Sequence, residues 1–270
     1  MELPEDHITK KTVVYRIAGM EDVTVERDVA WESGGDGALT LDIYRPRGTP
    51  KGERSPAVVS VAGYPDPGME RLFGCRFKDW GSSTSWARLI AATGLIAVNY
   101  SNREPVGDLG KLLRHLAANS EALGLDSSRM GLIASSGHGP LALSALMDAS
   151  LPSPPRAALL ICPFALDLDG HTAVADAAKT FRFANPAAGR SVDELPRTTP
   201  LFIARAGQDQ MPGLNETLDR FTLRALAGNL PLTLVNHEDA PHAFDLMHDS
   251  ETSREIIRNA LAFLRLHLTA

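Results

Sequence analysis

Short apolar runs of strand length recur through the chain: Ala57–Val61, Gly94–Val98, Met130–Ala134, Ala157–Cys162, Leu201–Ala204 and Leu232–Val235. They do not alternate with polar residues, so each predicts a strand buried on both faces. Such a strand needs cover above and below, and segments with helical patterning separate most of the runs. Trp86–Ala92 is one, ended by Gly94. Leu109–Leu123 places Leu109, Leu112, Leu113 and Leu116 on one stripe, with Asp108 positioned to cap it and Gly124 at its stop. Leu141–Met147 and Leu214–Ala227 follow, and Ser253–Leu268 closes the chain with Ile256, Ile257 and Leu264 inward. This alternation predicts a mostly parallel sheet with helices on both faces.

The chain before residue 50 reads differently. Val23, Val25, Val29 and Trp31 alternate with polar residues, and so do Leu39, Leu41 and Ile43, with Ser33–Gly37 between the two sets. That pattern predicts a β-hairpin, so the sheet begins antiparallel. The expected whole is a three-layer α/β fold of about eight strands, in a single domain over residues 1–270. Two stretches interrupt the alternation: Tyr64–Ser85, and Leu166–Pro200 with a weak helix over Thr172–Phe183 and a capping-box pattern at Ser191–Glu194. Both fall at the carboxyl ends of parallel strands, where open α/β sheets bind ligands. They are expected to form pocket walls or a small cap, and otherwise to be surface loops that tolerate length.

Composition narrows the partners. The net charge is −6 with no basic run, which sets nucleic acid aside. No apolar run reaches bilayer length, and MELPEDHITKK lacks a secretory apolar core. Cys75 and Cys162 are far apart with no CxxC spacing, which fits a reducing, cytoplasmic location and no zinc site. Both read as ordinary thiols, Cys162 in a core strand and Cys75 in a loop.

Arg129–Met147 reads as strand, sharp turn and helix, and the turn carries serine. A serine displayed there needs small residues close to it, because the turn is strained. Ala134 stands two residues before Ser136 and satisfies this; for Ser135 that place is held by the bulkier Ile133. Ser136 is therefore the expected nucleophile. His138, two residues after it, is large for such a turn, though Gly137 and Gly139 flank it. It reads as a pocket residue or as a polar residue at the helix N-terminus.

Ala134-Ser135-Ser136-Gly137-His138 resembles the G-x-S-x-G nucleophile elbow of the α/β-hydrolase superfamily, in its serine esterase and dienelactone-hydrolase-like branch, with both outer glycines replaced. By strand order the resemblance spans roughly residues 23–268, and it implies an acid and then a histidine after the serine. Asp209 follows the run Leu201–Ala204 and takes the acid's place; Asp167, Asp169 and Asp239 are the alternatives. Pro241-His242-Ala243-Phe244 resembles the family's H-G-F segment, which assigns His242 as base and leaves His237, at a strand end, a structural role. Ala62-Gly63-Tyr64-Pro65 resembles its H-G-x-P segment with alanine for histidine. That likeness makes the Tyr64 N–H the second oxyanion donor beside the Gly137 N–H.

The resemblance implies acyl transfer without metal or cofactor: a carboxylesterase-like enzyme acting on small carboxylic esters or lactones. A thioesterase, a peptidase and a non-catalytic binding protein of the same fold are the alternatives. The expected partners are a small ester-type substrate and, at most, a second copy of the chain in a homodimer; no nucleic acid and no membrane are expected. Phe73, Trp80 and His138 are candidate pocket residues, with Tyr64 and Trp86 as further aromatic candidates.

Overall fold

The computed structural model describes residues 4, 5, 7–34, 37–50 and 52–270. Strand β1 (Thr24–Gly34) pairs antiparallel with β2 (Gly37–Arg45). Residues 35 and 36 of the hairpin turn lie outside the described residues. The ladder slips between Glu26 and Val29, where Asp28 takes a left-handed backbone (φ 53°). A bulge of this kind bends the strand and re-aims its side chains.

Strands β3 (Ser55–Ser60), β4 (Ile96–Tyr100), β5 (Leu125–Ser135), β6 (Ala157–Ile161), β7 (Leu201–Ala206) and β8 (Leu232–His237) complete an eight-stranded sheet in the order β1-β2-β4-β3-β5-β6-β7-β8. From β4 onward every neighbouring pair is parallel; β2 meets β4 antiparallel. The expected fold class is the one observed. Alternate strand residues feed two apolar layers. One holds Val59, Val98, Leu132 and Leu160 with the leucines of helices α3 (Pro105–Ala118) and α4 (Gly139–Leu146). The other holds Val58, Ala97 and Leu159 with helices α2 (Gly81–Ala92) and α8 (Glu251–Thr269). Each such buried aliphatic side chain contributes about 1.5–3 kcal/mol.

Two helices differ from the sequence expectation. Helix α3 begins at Pro105 and ends at Ala118, four residues early at one end and five at the other. Proline is pre-set for the first helical position. Asp108 does not stand at the N-cap. From inside the first turn it accepts the N–H groups of Arg103 (2.7 Å) and Glu104 (2.8 Å). Helix α2 begins at Gly81, not Trp86, so Gly81–Ser85 is helical. That stretch reads as loop because serine competes for backbone bonds. Here the Ser83 hydroxyl donates to the Phe77 carbonyl (2.7 Å) and the Ser85 hydroxyl to the Gly81 carbonyl (2.6 Å), both compatible with the helix.

The segment after β3 therefore runs only from Tyr64 to Trp80. It holds α1 (Asp66–Phe73) and a 3-10 turn (Phe77–Asp79). The stretch after β6 holds α5 (Ala173–Phe181) and a 3-10 turn (Val192–Glu194) closed by the Ser191–Glu194 capping box. Helix α6 spans Leu214–Ala227, as its pattern predicts. A short α7 (Phe244–Met247) follows β8. Before β1, the N-terminal segment crosses the face of α2: the Val13 N–H donates to Ser85 Oγ (3.0 Å) and the Val14 N–H to the Asp245 carbonyl (2.9 Å). No helix among the described residues is long and apolar enough to cross a membrane.

Candidate active site

Strand β5 ends at Ser135, and the chain turns at Ser136 through a left-handed backbone (φ 50°) before a 3-10 turn leads into α4. A non-glycine residue held there stores about 1–3 kcal/mol of strain, which the surrounding packing must sustain. Ser135 remains in the ladder opposite Ile161, whereas Ser136 leaves it. The large residue at position 138 is tolerated because the tightest approach falls one residue later. A Cβ on Gly139 would stand 2.2 Å from the Phe164 carbonyl oxygen. Glycine is required at 139, and 138 is free to carry a ring.

The ends of β7 and β8 bring two further side chains to the serine. His242 Nε2 lies 2.9 Å from Ser136 Oγ, and its Nδ1 lies 2.6 Å from Asp209 Oδ2. The Asp209 carboxylate is fully buried, and its other oxygen accepts the Met211 N–H (2.9 Å). An acceptor-only carboxylate on Nδ1 fixes the proton there and leaves the Nε2 lone pair facing the hydroxyl. Gly207 makes the crossing possible: a Cβ there would stand 2.3 Å from the Glu238 carbonyl oxygen. Ala243 occupies the left-handed region (φ 54°) directly after His242, where the likened segment carries glycine.

The alternatives are placed elsewhere. Asp167 accepts the N–H groups of Val174 (2.9 Å) and Ala175 (2.8 Å) at the start of α5. Asp169 sits in a left-handed turn, and Asp239 is exposed. His237 is buried with Nε2 3.1 Å from Ser253 Oγ, at the start of α8.

Opposite the elbow lies the loop Ala62-Gly63-Tyr64-Pro65. Among the described residues no acceptor is recorded for the Tyr64 or the Gly137 N–H. The loop is braced from several sides. Asn102 Nδ2 donates to the Tyr64 carbonyl (3.1 Å), Tyr100 Oη accepts the Ala62 N–H (3.2 Å), and the Ala184 N–H donates to the Gly63 carbonyl (2.8 Å). Asp66 ties the next layer, accepting the N–H groups of Asn102 (2.9 Å) and Phe77 (3.0 Å). Burial pushes the Asp66 carboxyl up to about 6 against these two bonds. His138 Nδ1 accepts the Gly63 N–H (2.7 Å), and burial holds this imidazole down at about 3. His138 stands at the N-cap position of α4 but its side chain caps nothing there; its ring reaches across to the loop that lacks its own histidine at Ala62. Burial also pushes the Tyr64 hydroxyl up to about 12.

A cavity of about 390 Å³ opens beside Ser136 and His242, lined by Tyr64, Phe73, Phe77, Trp80, Trp86 and Ile161 among others. Ile8 from the N-terminal segment and Phe181 from α5 also reach it. Phe73, Trp80 and His138 therefore all line this space.

Two wall residues were not foreseen. Cys162 is not inside a core strand. It follows β6 with φ 43°, lines the cavity, and has its sulfur within 4.8 Å of an Asp209 carboxylate oxygen and a His242 ring nitrogen. Burial, then the carboxylates of Asp245 and Asp209, push its thiol far up. Its position at the carboxyl end of a parallel strand was the available signal. Asp245 is buried in the same wall, accepts the Trp86 Nε1–H (2.8 Å), and is pushed up by burial. No sequence pattern marked it.

No protein-family model matches the chain, and no curated protein matches it in sequence. Solved structures do match in fold. A serine-to-alanine mutant of an α/β hydrolase enzyme from the metagenome of Lake Arreo, Spain, superposes with a TM-score of 0.68 at 18% identity, over 92% of this chain and 83% of that one. An inhibited esterase B from Lactobacillus rhamnosis gives 0.67 at 18%, over 93% and 89%. Esterase 2 of Thermogutta terrifontis, phosphoramylated by tabun, gives 0.62 at 18%, over 93% and 95%. The chain has the α/β-hydrolase fold.

Proposed function

We propose that the protein is a serine hydrolase of small carboxylic esters or lactones, with Ser136 as nucleophile, His242 as base and Asp209 as the acid that holds it. The observation that carries this reading is the unbroken chain Ser136 Oγ–His242 Nε2 (2.9 Å) and His242 Nδ1–Asp209 Oδ2 (2.6 Å), at the mouth of an apolar cavity. His242 takes the hydroxyl proton as Ser136 Oγ attacks the ester carbonyl, and buried Asp209 stabilises the imidazolium that forms. The N–H groups of Gly137 and Tyr64 are the proposed donors to the oxyanion, each worth about 10²–10³ in rate. Collapse expels the alcohol with the proton from His242. Water, deprotonated by the same ring, then attacks the acyl-enzyme and frees Ser136. The fold shared with the esterases above supports this reading, and so does the loop braced opposite the elbow. The dienelactone-hydrolase-like subtype belongs to the same proposal, through its lactone arm.

The test is fluorophosphonate labelling together with turnover of short p-nitrophenyl esters. Wild-type protein is expected to be labelled and to turn over, and Ser136→Ala to lose both, with kcat falling about 10⁴-fold or more. Labelling that persists in Ser136→Ala and disappears in Ser135→Ala would move the nucleophile. Absence of both signals in the wild type would favour a binding protein of this fold.

A further inference from the structure

His138 carries more than the loop. A backbone N–H can only donate, so the Gly63 N–H at 2.7 Å requires a lone pair on His138 Nδ1. The neutral ring then has its one proton on Nε2, and with only 5% of the residue exposed the ring stays neutral. It is also fixed in direction: Phe77 lies against one face at 4.3 Å between centroids, and Tyr64 meets it edge-on at 5.1 Å. Nε2 finds no protein acceptor among the described residues, yet it is not sealed off. Trp80 Nε1, in the same wall, is also partnerless but has no access to the open space. His138 therefore presents an N–H donor, two residues from the serine, to a largely apolar cavity that the Tyr64, Ser136 and His242 side chains also line. Replacing solvent at such a donor with a group that cannot accept a hydrogen bond costs binding.

We propose that His138 Nε2–H binds the substrate, and that the site selects esters carrying a second acceptor oxygen, a ketone or an ether, a few bonds from the scissile carbonyl. The proposal rests on the ester-hydrolase reading and names its substrate class. A hydrophobic pocket alone discriminates weakly between chains of one size. A pocket with one oriented donor rejects the analogue that leaves it unpaired.

Two isosteric pairs test it on the full chain. p-Nitrophenyl 4-oxopentanoate against 4-methylpentanoate probes the acyl side; 2-methoxyethyl butanoate against n-butyl butanoate probes the alcohol side. Each kcat/KM is divided by the hydroxide rate of the same ester. In the wild type one pair is expected to favour the oxygenated member by about tenfold or more, and His138→Phe to erase that preference. Equal loss on both members of each pair would overturn the proposal and leave His138 as a brace for the loop. Fluorophosphonate labelling of Ser136 separates the two readings: an unlabelled wild type removes the hydrolase, whereas labelling without preference removes only this proposal. Should His138→Phe not fold, Ser136→Ala with ¹⁵N-labelled histidine gives a second readout. His138 should show the Nε2–H tautomer, with its proton shifted by methyl 4-oxopentanoate or by 2-methoxyethyl butanoate and not by their all-carbon counterparts. An Nδ1–H tautomer, or a proton that ignores both oxygenated esters, would overturn it.

Discussion

At the scale of single residues, two buried titratable groups behind the site bend stability with pH in opposite senses. Asp66 is raised to about 6 in the folded chain. Between the unfolded value near 4 and 6 the folded state holds a proton that the unfolded state has lost, so stability falls as pH rises through that window and is flat above it. Relative to Asp66→Asn, the wild type should gain about 2 kcal/mol as pH is lowered from 6 to 4. His138 is held at about 3, so the unfolded chain binds the extra proton between there and about 6.5, and stability is lost as pH falls below 6.5. His138→Gln should therefore flatten the acid limb, and Asp66→Asn should steepen it. Urea midpoints at stepped pH check both. Gly207 gives a third expectation. It stands two residues before Asp209, and a Cβ there would press on the Glu238 carbonyl. Gly207→Ala should cost about 2 kcal/mol or more in denaturant and reduce kcat, since Asp209 shifts with it.

At the scale of elements, the pocket wall between β3 and α2 is anchored by charge as well as by packing. Lys78, on the 3-10 turn between Phe77 and Trp80, is buried with Nζ 3.0 Å from both oxygens of Asp42 on β2 and 3.1 Å from Asp28 and Asp79. Asp42 has no exposed side chain. Lys78→Ala should cost about 3 kcal/mol, because it leaves the buried Asp42 carboxylate with the Asp28 N–H (2.9 Å) and the half-exposed Arg27 guanidinium (3.5 Å) as partners. Chemical denaturation measures that loss, and a rise in KM for bulky esters would report the loosened wall. None of this anchoring was legible in the sequence. The ion pair joins residues 36 apart, and no local periodicity marks such a pair. Nor do the bonds from Asp66 to Asn102 and from His138 to Gly63 leave a local pattern. The hydroxyl residues of Gly81–Ser85 misled in the other direction: Thr84 and Ser85 bond back to the Gly81 carbonyl within the helix that their composition argues against.

At the scale of the whole molecule, the sheet was legible because parallel strands covered on both faces must be continuously apolar, and helix stripes between them fix the alternation. The order serine, acid, histidine along the chain was legible for a related reason. Each stands just beyond a readable strand end, so topology alone brings them to one edge of the sheet. Cys162 and Asp245 stand at that same edge. Topology offered a signal for Cys162, at the carboxyl end of β6, and none for Asp245. The N-terminal segment had no periodicity to read, yet Ile8 forms part of the cavity wall and Val14 bonds to the Asp245 carbonyl. These contacts join Ile8 and Val14 to a segment made long after them. A nascent chain therefore cannot close this cavity until the segment that carries Asp245 has been made.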